Sequence, residues 1–393
     1  MDFDLIATAT FGLESVVADE VKKLGYEGVK IENGKVTYRA DALGICRSNL
    51  WLRTADRVRL KVGEFHVETF DNLFEQTKAL PWEQYLPEDA NFPVDGKSIK
   101  SKLFSVSDCQ ALVKKAIVER LKQKYQVNWF EETGPRYTIE VALLNDIATL
   151  TIDTSGPGLH KRGYRLHAVG APIKETLAAA LIYLSKWYPD TPLVDPCCGS
   201  GTIPIEAAMI GLNIAPGFKR EFVSEQWPLI PEQLWYHARQ ETHDLVQFDR
   251  KLEIVGSDHD PRAVHAAKHN AIVAGVGDYT HFQVQSLTTL SSEREYGKII
   301  CNPPYGERLG EREQVENLYQ EMGTVFSKMD TWSYYVITSH PGFERLFGTR
   351  ASKKRKLYNG DVKVDYFQYF GPRPPRTFFR PDGDEDLKRR RTK

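Results

Sequence analysis

Asp195-Pro196-Cys197-Cys198-Gly199-Ser200-Gly201-Thr202 follows the apolar run TPLV and opens the helical segment TIPIEAAMIG. A buried strand that turns sharply into a helix has this composition. Gly199 and Gly201 let the backbone bend and approach a ligand closely. The helix that follows aims free amide N–H groups and its positive dipole end at the same point. A tight turn without a ligand would need only the glycines. The Asp-Pro start adds a carboxylate, Asp195, at the strand's carboxyl edge, where it can receive an amine.

Helices and buried strands alternate on either side of this turn. KETLAAALIYLSKWY reads as a helix before it. Strand EIVGSD, helix PRAVHAAKHNAIVAG, strands HFQVQ, KIICN and WSYYVITS, and a helix at VENLYQEMGTVFSKM come after it. This order predicts an α/β fold with a doubly wound, mostly parallel, Rossmann-like sheet. RKLYNGDVKVDYFQYF predicts a β-hairpin around Asn359-Gly360-Asp361, which gives the sheet an antiparallel edge.

Asp258, in VGSDHDP, falls at the end of the second strand, where an acidic side chain accepts hydrogen bonds from ribose hydroxyls. Asp260, before Pro261, suits a helix N-cap. The gap from the glycine turn to Asp258 is much longer than the roughly 20 residues of a dinucleotide-binding unit. The stretch within 212–250, NIAPGFKREFVSEQWPLIPEQLWYHARQ, is therefore expected to be an insertion near the cofactor. Neither GxGxxG nor GxxxxGK[ST] stands at the turn, which argues against NAD and ATP.

Asn302-Pro303-Pro304-Tyr305 ends strand KIICN. The prolines stiffen the chain and remove N–H donors. The Pro303 carbonyl and the Asn302 side-chain oxygen then offer two acceptors for an –NH₂ group. Tyr305 offers a flat face for an extruded base, and stacking alone makes its hydroxyl dispensable. Asn-Pro-Pro is also an ordinary turn sequence. Its place at the carboxyl edge of this sheet favours the functional reading.

The N-terminal half has another rhythm. FDLIATA, LESVVADEVKKLG, the hairpin VKIENGKVTYRA, ADALGICRSNLWLR and RVRLKVGEF give the order β-α-β-β-α-β, a ferredoxin-like α+β pattern. Next come helical FDNLFEQTKAL, a helix expected to be N-capped by Asp108, and two strands meeting at Asn145-Asp146. HKRGYR, KKAIVERLKQK, Lys353–Lys356 and Lys388–Arg391 are basic segments suited to phosphate contacts. A net charge of −1 over 393 residues confines any nucleic-acid surface to local patches. No CxxC pair occurs among five cysteines, and no apolar run reaches about 18 residues, so neither a metal nor a membrane span is expected.

DPCCGSGT, VGSDHDP and NPPY, in this order, resemble the motifs of class I S-adenosylmethionine-dependent methyltransferases over about residues 166–372. SIKSKLFSVSDCQALVKKAIVERL and DTSGPGLHKRGYR resemble the THUMP RNA-binding module, and APIKETLAAALIYLSKW is similar to the segment that joins the two in that family. The whole chain resembles the bacterial 23S guanine-N2 branch of ribosomal RNA methyltransferases. The expected domains are a ferredoxin-like unit at 1–64, a THUMP unit at 65–165 and a methyltransferase domain at 166–393. The resemblance implies a cytoplasmic protein with S-adenosyl-L-methionine as cofactor and RNA as partner, 23S rRNA or a ribosomal precursor. The oligomeric state stays open.

Carried over by residue, it implies that Asp195, Pro196, Cys197, Gly199, Ser200, Gly201 and Thr202 line the methionine part of the cofactor. Asp258 would bind its ribose and His259 would lie near its adenine. Lys174, Glu175 and Thr176 would close over it. Ser286 stands where the family has an acidic residue near the adenine amine. Asn302, which also borders the cofactor, would form the target-amine site with Pro303, Pro304 and Tyr305. Lys100, Lys102, Lys114, Lys115, His160, Lys161, Arg162, Tyr164 and Arg165 are the expected RNA contacts. Three other readings remain: a tRNA guanine-N2 methyltransferase, a THUMP-type binding or assembly factor without activity, and a protein-glutamine methyltransferase. Intact motifs count against the second and the RNA-binding half against the third.

Overall fold

The computed structural model describes residues 2–168, 170, 172–306 and 312–375. The chain divides into two compact units, 1–163 with 214–246, and 164–213 with 247–393.

The first unit begins with β1 (Phe3–Ala9), α1 (Glu14–Lys23), β2 (Lys30–Glu32), β3 (Lys35–Ala40), α2 (Ala42–Trp51) and β4 (Ala55–His66). It continues with α3 (Phe70–Ala79), β5 (Val94–Ile99), α4 (Val106–Tyr125), β6 (Ile139–Leu144) and β7 (Ile147–Asp153). The seven strands form one sheet, ordered β2-β3-β1-β4-β7-β6-β5. The ferredoxin-like and THUMP segments therefore share a sheet. The long strand β4 joins them, pairing with β1 through Leu60 and with β7 from Arg59 to His66. The expected boundary at residue 64 falls inside this strand.

Local chemistry explains the turns. Asn145 and Asp146 both adopt positive φ, 49° and 61°, as a tight hairpin between right-twisted strands requires. The helix expected to start at Asp108 starts earlier, with Ser105 at the N-cap. Asp108 lies in its first turn, where a carboxylate complements the helix dipole and accepts a bond from the Ser105 hydroxyl.

The second unit contains α5 (Glu175–Ser185), β8 (Leu193–Asp195) and α6 (Thr202–Gly211). The chain then forms α7 (Glu232–Asp244), which belongs to the first unit. It resumes the second unit with β9 (Ile254–Asp258), α8 (Pro261–Ala274), β10 (His281–Val284), β11 (Lys298–Cys301), α9 (Arg312–Phe326), β12 (Ser333–Thr338), α10 (Phe343–Phe347), β13 (Lys353–Asn359) and β14 (Val362–Tyr369). Its sheet runs β10-β9-β8-β11-β12-β14-β13. The first five are parallel to their neighbours, and β14 and β13 form the expected antiparallel edge. Helices α5 and α6 are buried on nearly every side, as apolar segments without a polar face must be. Asp260 N-caps α8 by accepting from the Arg262 N–H, with Pro261 at the first helical position.

Residues 214–246 interrupt the second unit in sequence, as an insertion does, and pack into the first unit's core. Phe222, Trp227, Ile230 and Trp235 are buried in the same cluster as Leu5, Leu50 and Ile152. The Trp227 ring stacks on Tyr137 at 4.5 Å, and its indole N–H donates to the Arg136 carbonyl. Glu241 on α7 pairs with Arg47 on α2 at 2.7 Å. The methyltransferase fold is thus discontinuous in sequence. No helix among the described residues is long and apolar enough to cross a membrane.

Candidate active site

Strand β8 is fully buried and delivers Asp195 to the sheet's carboxyl edge, 2% exposed. The Cys197 N–H donates to Asp195 Oδ1 at 3.1 Å, and the Gly201 N–H to the Cys198 carbonyl at 2.8 Å, which closes the turn. Gly201 has φ 85° and sits at the N-cap of α6. A Cβ there would lie 2.9 Å from Ala267 Cβ, so both the backbone and the space demand glycine. No side chain caps α6. The Ser200 Oγ, on a residue 4% exposed, has no partner among the described residues. Buried polar atoms are normally satisfied. An orphan hydroxyl beside an uncapped helix start fits the amino-acid end of S-adenosylmethionine. Burial pushes the Asp195 carboxyl well above its usual range; the Cys197 N–H opposes this and the neighbouring Asp258 charge adds to it.

Asp258 locks the second loop to the first. Its Oδ2 accepts from the Gly199 N–H at 2.9 Å and its Oδ1 from the Asp260 N–H at 3.0 Å. Each carboxylate oxygen keeps capacity for another donor, as a ribose diol requires. His259 is largely exposed, with Nδ1 3.4 Å from Asp258 Oδ1. Val284 pairs with Asp258, so β10 brings Ser286 to the same edge. The Ser286 hydroxyl is exposed and bonded to that of Thr288 at 2.9 Å.

The segment before α5 is held by Arg165. Its guanidinium donates to the Ile173 carbonyl at 2.7 Å and to the Thr202 hydroxyl at 3.0 Å, and lies 3.2 Å from the Glu175 carboxylate. Glu175 and Thr176 are buried, and Lys174 occupies the N-cap of α5. Arg165 therefore ties the start of α5 to the start of α6. Asn270 adds a second tie, donating to the carbonyls of Ser200 and His167.

These contacts change the expected RNA surface. Arg162 is 3% exposed and donates to the carbonyls of Leu159 and Arg53. Tyr164 is 3% exposed, its hydroxyl donating to Glu206. Arg165 is engaged as described. Lys114 lies over the Phe92 ring, 3.5 Å from its centroid, and is paired with Glu132. In this structure the polar groups of Arg162 and Tyr164 are buried, and those of Arg165 and Lys114 are engaged in local pairs. Lys100, Lys102, Lys115 and Lys161 are exposed, Lys102 being paired with Glu68, and His160 is half-buried. The Lys388–Arg391 segment lies outside the described residues.

Strand β11 pairs with β8 in the register Ile299↔Val194, so both strands end at one edge. Asn302 and Tyr305 are half-buried there and Pro303 is buried. The Tyr305 hydroxyl donates to Asn302 Oδ1 at 2.6 Å. That bond gives the hydroxyl a partner inside its own loop. The Tyr319 hydroxyl donates to the Pro304 carbonyl at 2.7 Å. Among the described residues nothing donates to the Pro303 carbonyl. Cys301 is fully buried, and burial pushes its thiol well above the usual range, so it faces the core as an unreactive side chain. Sequence reasoning missed Tyr319. Its place in an amphipathic helix marks a core ring and says nothing of where the hydroxyl goes.

Residues 4–59 match the RlmL ferredoxin-like domain, 67–153 the THUMP domain, and 162–368 the RMKL-like methyltransferase domain. The chain is 56% identical over 377 residues to the Bacillus subtilis (strain 168) protein named "Putative RNA methyltransferase YpsC", spanning 95% of this chain and 98% of that one. It is 34% identical over 378 residues to "Ribosomal RNA large subunit methyltransferase K/L" of Syntrophotalea carbinolica, spanning 91% of this chain and 52% of that one. The crystal structure of SMU.472 complexed with SAH superposes with a TM-score of 0.90 at 46% identity, covering 95% of this chain and 99% of that one. The chain therefore belongs to the RMKL-like methyltransferases, with a THUMP domain and S-adenosylmethionine as cofactor.

Proposed function

We propose that this chain is an RNA methyltransferase acting on the exocyclic N2 amine of a guanine in 23S ribosomal RNA. The observation that carries the amine is the pair of acceptors after β11, Asn302 Oδ1 and the Pro303 carbonyl, at the edge where the glycine turn also lies. S-adenosylmethionine supplies a methyl already activated on a sulfonium. The protein's task is placement. A conjugated amine is a poor nucleophile because its lone pair is delocalised into the ring. Two acceptors on its N–H bonds favour a pyramidal nitrogen, aim the lone pair and stabilise developing positive charge. No covalent intermediate is needed, and Cys301, the cysteine beside Asn302, is sealed in the core.

The amine clamp alone admits adenine N6, cytosine N4 and guanine N2. Ribosomal RNA is supported by the name of the K/L relative, of which this chain matches about half, and by the RlmL-type first domain. Guanine rests on the family resemblance. The THUMP segment and exposed Lys100, Lys115 and Lys161 support docking of RNA. The reading is tested by tritium transfer from labelled cofactor to ribosomal RNA from a strain lacking the gene, with transfer RNA in parallel, followed by nucleoside digestion and chromatography. N2-methylguanosine from 23S RNA is expected. Label in N6-methyladenosine would refute guanine and keep the clamp. Label in 5-methylcytidine would refute both.

A further inference from the structure

Four polar groups behind the Asn302–Tyr305 loop form a hydrogen-bond chain whose direction is fixed by proton count. The Pro304 carbonyl can only accept, so the single proton of Tyr319 goes to it, at 2.7 Å. The contact of 2.8 Å between Tyr319 and Thr338 must then carry the threonine's proton towards the phenol oxygen. The Thr338 oxygen in turn accepts from the His340 N–H at 3.1 Å. The sequence of donation is His340 N–H to Thr338, Thr338 to Tyr319, and Tyr319 to Pro304. Such chains polarise their members in one sense.

The chain sits in a rigid place. Tyr319 is fully buried on α9, and Thr338 is 1% exposed at the end of β12, next to β11 in the sheet. The Tyr319 ring meets His340 edge-on at 5.6 Å and Phe343 edge-on at 5.0 Å. Burial pushes the Tyr319 phenol well above its usual range, so it stays a donor throughout the ordinary pH range.

We propose that Tyr319 is a positioning residue for the target amine. By tying the Pro304 carbonyl to α9 and, through Thr338, to β12, it holds the Pro303–Pro304 backbone and so sets the direction of the adjoining Pro303 carbonyl. It also fixes the angle between that carbonyl and Asn302 Oδ1. An –NH₂ group can then satisfy both N–H bonds in one orientation only. This rests on the reading of Asn302–Tyr305 as the amine clamp.

The test uses the full-length protein with an unmodified 23S RNA transcript under single-turnover conditions, with both RNA and cofactor saturating. Y319F keeps the ring and removes the donor. Its methyl-transfer rate should fall at least about tenfold, while cofactor affinity by calorimetry and the RNA concentration for half-maximal rate stay within about twofold. T338V, nearly isosteric, removes the proton given to Tyr319 together with the acceptor of the His340 N–H, and should lower the rate in the same direction by less. It carries the test if Y319F fails to fold. A wild-type rate in the folded variants overturns the proposal, as does a rate loss matched by an equal loss of cofactor affinity. The identity of the wild-type product separates the two claims. An amine product with Y319F at full rate refutes only the role of Tyr319, whereas a ring-carbon product refutes the clamp itself.

Discussion

The Tyr305 phenol donates a 2.6 Å hydrogen bond to Asn302 Oδ1, so one of the two acceptors proposed for the target amine is already held by its own loop. An amide oxygen has two lone pairs. The bond therefore orients Asn302 with its oxygen towards the phenol and leaves one lone pair for a substrate N–H. Tyr305→Phe should keep the stacking face yet free the amide to rotate. Loss of a neutral hydrogen bond of about 0.5–1.5 kcal/mol corresponds to a rate lower by roughly twofold to thirteenfold. Single-turnover kinetics would show this, and calorimetry should show unchanged cofactor affinity. A fully active Tyr305→Phe protein would mean that Asn302 is oriented by something else.

Asp258 binds two backbone N–H groups and has room for a diol. Asp258→Ala should weaken cofactor binding by about 1.5–3 kcal/mol, the range for bonds to a charged acceptor. Part of that loss is indirect, because the Gly199 N–H loses its partner. Asp258→Asn, which can still accept one of those bonds, should cost less. Calorimetry with S-adenosylmethionine decides it, and an unchanged affinity would displace the ribose from this site.

Burial raises the Asp195 carboxyl in the free protein. The folded state then holds its proton to higher pH than the unfolded chain, whose aspartates titrate near about 3.9. This contribution to stability is complete below the unfolded value and is lost as pH rises through the folded one. A cationic ligand favours the ionised carboxyl instead. Cofactor binding should therefore release a proton and tighten with rising pH until the folded pKa is passed. Calorimetry in buffers of different ionisation heat measures the proton, and Asp195→Asn should abolish it. Equal proton release by that variant would assign the proton elsewhere.

Lys161 and Arg162 are adjacent cations with opposite surroundings. Lys161 is exposed, while Arg162 is buried on two carbonyls. Lys161→Ala should lower RNA affinity and reduce the slope of its salt dependence by about one counterion. Arg162→Ala should instead lower the melting temperature and leave that slope unchanged. Reversed outcomes in salt titrations and thermal melts would show that Arg162 reaches phosphate.

Much of this protein is legible in its sequence for physical reasons. The glycine turn, the Asn33-Gly34 and Asn145-Asp146 hairpins and the Asp260-Pro261 helix start each need a backbone that few residues provide, so type predicts geometry. What stayed hidden depends on partners distant in the chain. Trp227 and Trp235 announce burial, yet nothing local says against which core. In HKRGYR, Lys161 and Arg165 look alike, and only the presence of Glu175, Ile173 and Thr202 around Arg165 separates a surface charge from a clamp. The hydroxyls of Tyr305 and Tyr319 are invisible in the same way, since hydrophobic periodicity reports rings and not where their protons go.

The placement of Trp227, Ile230 and Trp235 in the first unit's core also orders events during synthesis. When Gly163 leaves the ribosome, the N-terminal sheet has all its strands but lacks these side chains. They follow only after β8 and α6 have been made, on the order of ten seconds later at roughly 5–20 residues per second. The nascent N-terminal unit must therefore wait with an incomplete core. The methyltransferase sheet cannot close its β8–β9 pair until those late residues have been delivered, which makes the two units successive beneficiaries of one stretch of chain.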